Sequence, residues 1–319
     1  MANLSFKNLK QISLSLVKIA RPVHWIKNLA IFAALIFTGN LFDKLLLHRV
    51  IWAFMAFNLA TSATYIFNDI MDVNNDSLHP VKKFRPIASG MLSKKIAWME
   101  IIFLSYLSLV MANYISPAFF LLLFSYLLMQ LAYSIFLKNL PIIDILIIAT
   151  GFILRVYAGA FVIDAHLSVW FLLCVISASL FLASGKRRAE LGLIESPGLT
   201  RKSLAKYPRE LLNSFVTMFG NATWMSWALF SFFESPRASI PVWLFLAELS
   251  RATTINKLLM VTIPITIFGV MRYLSLIFED RSEAPEKLLL TDLPLVTSVV
   301  LWVSVVVWVF YSGVSVRGI

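Results

Sequence analysis

Residues 50–80 read VIWAFMAFNLATSATYIFNDIMDVNNDSLHP. Positions 50–67 carry no charge, and then Asn68, Asp69, Asp72 and Asp76 arrive within nine residues. An apolar helix of roughly 20 residues is what crosses a bilayer core of about 30 Å. Acids gathered at the end of such a run sit where the bilayer meets water. This stretch therefore predicts a membrane-spanning helix that delivers a polar cluster to one surface.

The rest of the chain repeats the first half of that pattern. Apolar stretches run over about 26–46, 50–68, 96–113, 118–137, 141–163, 167–185, 210–233, 257–278 and 293–312. A further apolar piece, Ile240 to Leu249, is too short to span and reads as a partial helix at one surface. The alternating segments of a membrane β-barrel are absent. The composition agrees: 59% hydrophobic, 14% charged and a mean hydropathy of +0.81 over 319 residues. A soluble domain carries about 25% charged residues. A soluble enzyme, a disordered chain and a secreted disulfide scaffold are excluded. The single cysteine, Cys174, lies in an apolar run and reads as a small core or lipid-facing side chain. The four histidines show no metal-ligand spacing, so no transition-metal site is expected.

Positive charge orients the helices. With a cytoplasmic N-terminus, 21 of the 28 lysines and arginines fall on the cytoplasmic side, 6 on the other, and Arg155 lies within the membrane. The expectation is an all-α integral membrane protein of one domain, 1–319, with nine transmembrane helices, N-terminus cytoplasmic and C-terminus outside. Residues 1–22 form an amphipathic interfacial arm, since Leu9, Ile12, Leu16 and Ile19 share a helix face between Lys7, Lys10 and Lys18. Cytoplasmic loops 69–95 and 186–209 carry the site. The net charge of +11 is read as orientation and phosphate binding, with no nucleic-acid partner.

At 100° per residue, Asn68, Asp69, Asp72 and Asp76 lie at about 0°, 100°, 40° and 80° around one helix. Three carboxylates converge on one quarter of its surface. Like charges repel unless a cation sits among them. Oxygen ligands without His or Cys suit Mg²⁺, which shares itself with substrate phosphates. Lys82, Lys83 and Arg85 follow at once, and carboxylates beside a basic hook suit a diphosphate or sugar phosphate. Lys138 and Asp144 bracket Pro141, and Asp144, Gly151 and Arg155 share one face. An Asp and an Arg in an apolar segment are either functional or a structural pair buried between helices. Lys186, Arg187 and Glu190 close the sixth apolar stretch as a site contribution or as simple anchoring.

With these residues assembled, the chain resembles the UbiA superfamily of intramembrane prenyltransferases. Asn68–Asp76 is similar to its first aspartate-rich motif, and Tyr133–Lys138–Asp144 stands where its second belongs. A closer resemblance, to the decaprenyl-phosphate phosphoribosyltransferase branch, rests on an ordered set of blocks from residue 21 to about 292. They include Arg21-Pro22-x-x-Trp25-x-Lys27-Asn28, His79-Pro80, Phe84-Arg85-Pro86, Gly151-Phe152-x-x-Arg155, Gly185-Lys186-Arg187, Arg272-Tyr273 and Ala284-Pro285-Glu286. The second motif offers one aspartate, Asp144, where the wider superfamily has a pair.

The resemblance implies a UbiA-like bundle in a bacterial inner membrane with a cytoplasmic site. It implies Mg²⁺-dependent transfer of 5-phosphoribosyl from 5-phosphoribosyl 1-diphosphate to a polyprenyl phosphate, releasing pyrophosphate and supplying cell-envelope polysaccharide precursors. Asp69, Asp72, Asp76 and Asn68 would hold the metal. Lys82, Arg85 and Lys138 would bind donor phosphates. Lys27, Lys186 and Arg187 would catch the lipid phosphate. Asp144 would ligate metal or orient a ribose hydroxyl, with Asn28, Tyr133 and Arg155 as further substrate contacts. Prenyl transfer to an aromatic or glycerol-phosphate acceptor, and a non-enzymatic transporter, remain the alternatives. Homo-oligomerisation is left open.

Overall fold

The computed structural model describes residues 15–78, 81–192, 206–234, 237–238, 257–279, 288, 291–311 and 315–316. Most of the interfacial arm, His79-Pro80, the Ile240–Leu249 piece and Ala284-Pro285-Glu286 lie outside the described residues.

The chain first forms a 3₁₀ segment, Pro22–Ile31, running into α1 (Phe32–Phe37). There follow α2 (Lys44–Met71), a short α3 (Val73–Leu78), α4 (Lys94–Ile115), α5 (Pro117–Ile135) and α6 (Ile143–Val162). Next come α7 (Val169–Gly192), α8 (Arg209–Phe233), α9 (Ile263–Phe278, led in by 3₁₀ residues Leu258–Thr262) and α10 (Leu293–Tyr311). A two-residue antiparallel ladder pairs β1 (Arg237–Ala238) with β2 (Ser315–Val316). The fold is otherwise helical among the described residues.

Local chemistry sets the helix ends. Asp43 accepts hydrogen bonds from the Leu45 and Leu46 amides at 2.9 and 3.1 Å and caps α2. Ser116 alone joins α4 to α5. Its extended backbone ends one helix, and its hydroxyl caps the next at the Phe119 amide, 3.1 Å away, with Pro117 in the first turn.

Seven helices among the described residues are long and apolar enough to cross a membrane. Two of the nine expected stretches differ. The 26–46 stretch is broken, because the helix ends at Phe37 and a turn through Gly39 and Asn40 intervenes before Asp43 caps α2. Its helical part, Pro22–Phe37, falls short of a full span. The 210–233 stretch is a helix of 25 residues, diluted by Asn213, Asn221 and five hydroxyl side chains. Those hydroxyls each donate to a backbone carbonyl three or four residues earlier, so none is left unsatisfied in an apolar setting. The α2 helix also outruns its expected end, reaching Met71 before α3 restarts.

The helices run alternately between two ends. Arg21 meets Asp69 at one, which we term the acidic end. At the opposite end the Tyr311 hydroxyl donates to the Leu35 and Ile36 carbonyls and accepts from the Leu41 amide at 3.0 Å, clasping α10 to α1. The α2 helix is central: its apolar stretch is 67% buried, against 22% for α4 and for α10, which present apolar side chains outward. The main core gathers Ile31, Leu35, Phe57, Phe119, Leu123 and Tyr126. There α6 crosses the first helix so closely that a Cβ on Gly159 would lie 1.9 Å from the Ile31 carbonyl oxygen.

Gly159→Ala is therefore expected to cost about 1–3 kcal/mol of stability by overpacking against rigid backbone. Gly269→Ala, whose Cβ would meet only the Ser298 hydroxyl at 3.6 Å, is the matched control. Thermal unfolding in detergent should separate the two; equal melting temperatures would contradict the close approach.

Candidate active site

The acids of the opening stretch fold onto the end of α2. Asp69 is in its last turn, Asp72 caps it, and the Asp76 amide donates to the Asp72 carbonyl at 2.8 Å to restart the chain as α3. The carboxylates do not meet one another; they meet cations. Arg21 donates to Asp69 at 2.5 Å. Arg85 donates to Asp69 at 3.1 Å and to Asp76 at 2.5 Å, bridging them. Lys138 donates to Asp72 at 2.5 Å and to the Asn68 carbonyl oxygen at 3.4 Å, while the Asn68 amide donates to Asp72 at 2.9 Å. Asp69 and Asp76 are 3% and 4% exposed, burial that would be prohibitive without these partners.

The arginines are delivered by strained or extended backbone. Arg21 has a left-handed φ of 51° just before Pro22, and its guanidinium lies over the Tyr65 ring at 5.3 Å. Arg85 is extended before Pro86, as a residue preceding proline prefers, after a 3₁₀ turn over Lys82–Phe84. Lys138 stands in a second such turn, Leu137–Asn139, between α5 and α6.

The same α5–α6 connection builds a second cluster. Asp144, in the first turn of α6, is fully buried and lies 2.7 Å from Arg187 Nε as an ion pair without an aligned hydrogen bond. Arg187, also fully buried, donates to Tyr133 at 2.8 Å and to Glu190. Tyr207, just before α8, donates to Asp144 at 2.7 Å and accepts from the Ile142 amide. Burial, together with the neighbouring Asp144 carboxylate, pushes the Tyr207 hydroxyl above its ordinary pKa.

The expected residues thus divide into groups. Asn68, Asp69, Asp72, Asp76, Arg85 and Lys138 come together, and Asp144, Tyr133 and Arg187 form the adjoining group. Lys27, Lys82 and Lys186 are half-buried and each has a partner. Arg155 and Asn28 go elsewhere. Arg155 donates to Asn28 at 2.6 Å, to Tyr126 at 3.1 Å and to the Gly151 carbonyl, and packs against the rings of Phe57, Tyr126 and Phe152. Asn28 in turn donates to Asn58 at 2.6 Å. Arg155 is 11 residues along α6 from Asp144, so this knot lies about 16 Å deeper in the bundle.

Sequence reasoning passed over Arg21 and Tyr207 as site residues. Both are followed by proline at the mouth of an apolar run, Arg21-Pro22 and Tyr207-Pro208, and that was the available signal.

The expected convergence of three carboxylates is replaced by interleaving. Among the described residues no three carboxylate, imidazole or thiol groups are gathered closely enough to hold a metal ion. The donor set nonetheless suits Mg²⁺ in kind. Asn68, Asp69, Asp72 and Asp76 offer only oxygen, within little more than two helical turns, and their present partners are long, jointed Lys and Arg side chains.

Residues 29–185 match the model of the UbiA prenyltransferase family. Decaprenyl-phosphate phosphoribosyltransferase of Mycolicibacterium smegmatis is 34% identical over 308 residues, 95% of this chain and 94% of the relative. The chain belongs to the UbiA family. It is a multi-pass membrane transferase. The protein of the same name from Mycobacterium tuberculosis is 38% identical over 221 residues, 68% of this chain and 73% of that one. Among solved structures, a UbiA homolog from Archaeoglobus fulgidus bound to GPP and Mg²⁺ superposes with a TM-score of 0.65 at 18% identity, covering 95% of this chain and all of that one. That likeness establishes the fold.

Arg85→Gln leaves two buried carboxylates sharing one fewer cation. Its cost is expected near the low end of the about 3–5 kcal/mol typical of a broken buried pair, because Arg85 is partly exposed. Combining it with Asp76→Asn should recover part of that loss, giving a non-additive double-mutant cycle. Additive losses in chemical unfolding would show that the pair is not coupled.

Proposed function

We propose that the chain transfers a 5-phosphoribosyl group from 5-phosphoribosyl 1-diphosphate to a polyprenyl phosphate, releasing pyrophosphate and making a lipid-linked precursor for envelope polysaccharide. The observation that carries this reading is the interleaved cluster of Asp69, Asp72 and Asp76 with Arg21, Arg85 and Lys138 at one end of an apolar bundle. Such a cluster carries little net charge by itself, yet supplies both carboxylates and phosphate-gripping cations. The relatives named decaprenyl-phosphate phosphoribosyltransferase support the choice of donor and acceptor.

In this mechanism a phosphate oxygen of the lipid attacks the anomeric carbon, and the bond from that carbon to the diphosphate breaks. The lipid phosphate is already anionic, so no general base is required. Asn68, Asp69, Asp72 and Asp76 would hold Mg²⁺, which would neutralise charge on the leaving pyrophosphate. Arg85 and Lys138 exchange their carboxylate partners for donor phosphate oxygens, a swap that keeps each cation paired, and Lys82 joins them on the phosphates. Lys27 and Lys186 receive the acceptor phosphate at the membrane surface, while Arg187, fully buried against Asp144, braces that carboxylate instead. Asp144, held beside Arg187, orients a ribose hydroxyl. The polyprenyl tail stays in the bilayer while its head meets the soluble donor.

The alternation of helix directions supports nine crossings, with Pro22–Phe37 and α8 each completing a pass. Eight reversals then place the N-terminus at the acidic end and the C-terminus at the other. The excess of Lys and Arg at the acidic end supports assigning it to the cytoplasmic side of a bacterial inner membrane.

Purified protein given radiolabelled donor, Mg²⁺ and undecaprenyl phosphate should yield a labelled lipid. Asp72→Ala, which removes the half-buried carboxylate that Lys138 meets, should lower turnover by at least about 100-fold without loss of the folded state. No product with any polyprenyl phosphate, or turnover of a prenyl diphosphate instead, would overturn the assignment.

A further inference from the structure

Tyr207 holds two groups with one hydroxyl. Its proton goes to Asp144 Oδ1 at 2.7 Å, and its oxygen accepts the Ile142 amide. Ile142 has a φ of 70°, a conformation rare for a β-branched residue, and it forms the turn that leads into α6. Asp144 is fully buried, with its other oxygen against Arg187 and its Oδ1 also taken by the Ile145 amide at 3.0 Å. The tyrosine itself is 5% exposed and packs with Ile145, Ala149 and Leu212. A hydroxyl buried this deeply, satisfied as donor and as acceptor, fixes the plane of the carboxylate it touches.

We propose that Tyr207 is a positioning residue for donor binding, acting through Asp144. This rests on the function proposed above, in which Asp144 orients a ribose hydroxyl of the donor. Tyr207 stands just before α8, and Arg187 lies within α7, which runs on to Gly192 past the start of the expected 186–209 loop. The two hold Asp144 between them: Arg187 lies against one oxygen as an ion pair and Tyr207 donates to the other. The Ile142 contact serves the same purpose, since a turn strained at Ile142 would otherwise relax and rotate the first turn of α6.

The test is a small set of variants of the full-length protein in detergent. In Tyr207→Phe the KM for the donor should rise about tenfold, the scale of one hydrogen bond to a charged group, with the KM for the lipid phosphate unchanged. Affinity for ribose 5-phosphate, which carries the ribose hydroxyls, measured by calorimetry without turnover, should fall by a similar factor, while affinity for inorganic pyrophosphate in Mg²⁺ buffer should hold. Because the tyrosine works through the aspartate, Tyr207→Phe added to Asp144→Asn should cost nothing more. Unchanged donor KM and ribose 5-phosphate affinity in Tyr207→Phe, or losses that multiply in the double variant, would overturn the proposal. Should Tyr207→Phe fold poorly, adding Ile142→Gly relieves the turn; the fold should return while donor affinity stays low, and recovery of both would also overturn it. Wild-type protein that makes no ribosyl lipid would refute the proposed function instead, so the two failures are distinct.

Discussion

The arrangement depends on the neutralisation of Asp69. This carboxylate is buried in the last turn of the most enclosed helix, where an unpaired charge costs several kcal/mol. Arg21 and Arg85 supply the countercharge from opposite directions along the chain, 48 residues before and 16 after. To reach it, the first helix must lie against α2, and the segment after α3 must fold back beneath it. Arg85 then extends the same bond to Asp76, and Lys138 repeats the pattern on Asp72. One electrostatic requirement thereby draws three separate connections to one end of the bundle.

Much of this was legible in the sequence, and the limits are physical. Uncharged runs longer than a bilayer is thick leave few options besides helices, so seven spans were plain. The acid spacing at Asn68, Asp69, Asp72 and Asp76 suggests one shared face, on a helix that instead ends at Met71 and restarts before Asp76. It could not tell whether those acids would face one another or face bases, because Lys138 lies 66 residues away from Asp72. The break at Gly39 and Asn40 was hidden by apolar residues on both sides of a turn. The polar residues of α8 were hidden in the opposite sense, since their hydroxyls are consumed by the helix's own carbonyls. Tyr207 looked like an ordinary aromatic beside a proline; only the fold brings it to Asp144, 63 residues earlier.

Two buried arginines show how differently one side chain is accommodated. Arg187 is matched by carboxylates at Asp144 and Glu190. Arg155 has neutral oxygens and three aromatic faces around it, and no carboxylate among the described residues. The first arrangement suits the orienting of a carboxylate. The second suits a fixed brace, since Asn28, Tyr126 and Gly151 belong to three separate helical segments that it holds together.

The clasp made by Tyr311 bears on the order of assembly. Its hydroxyl fills the hydrogen-bonding needs of Leu35, Ile36 and Leu41, backbone groups in the turn that follows the first helix. A ribosome emits those groups some 270 residues before their partner. Until α10 leaves the insertion machinery, the Leu35 and Ile36 carbonyls have only the Asn40 and Gly39 amides of their own turn, and the Leu41 amide must be served by water or lipid headgroups. The earliest hairpin to enter the membrane is thus among the last to be sealed, and closure of the bundle is a late event in biosynthesis.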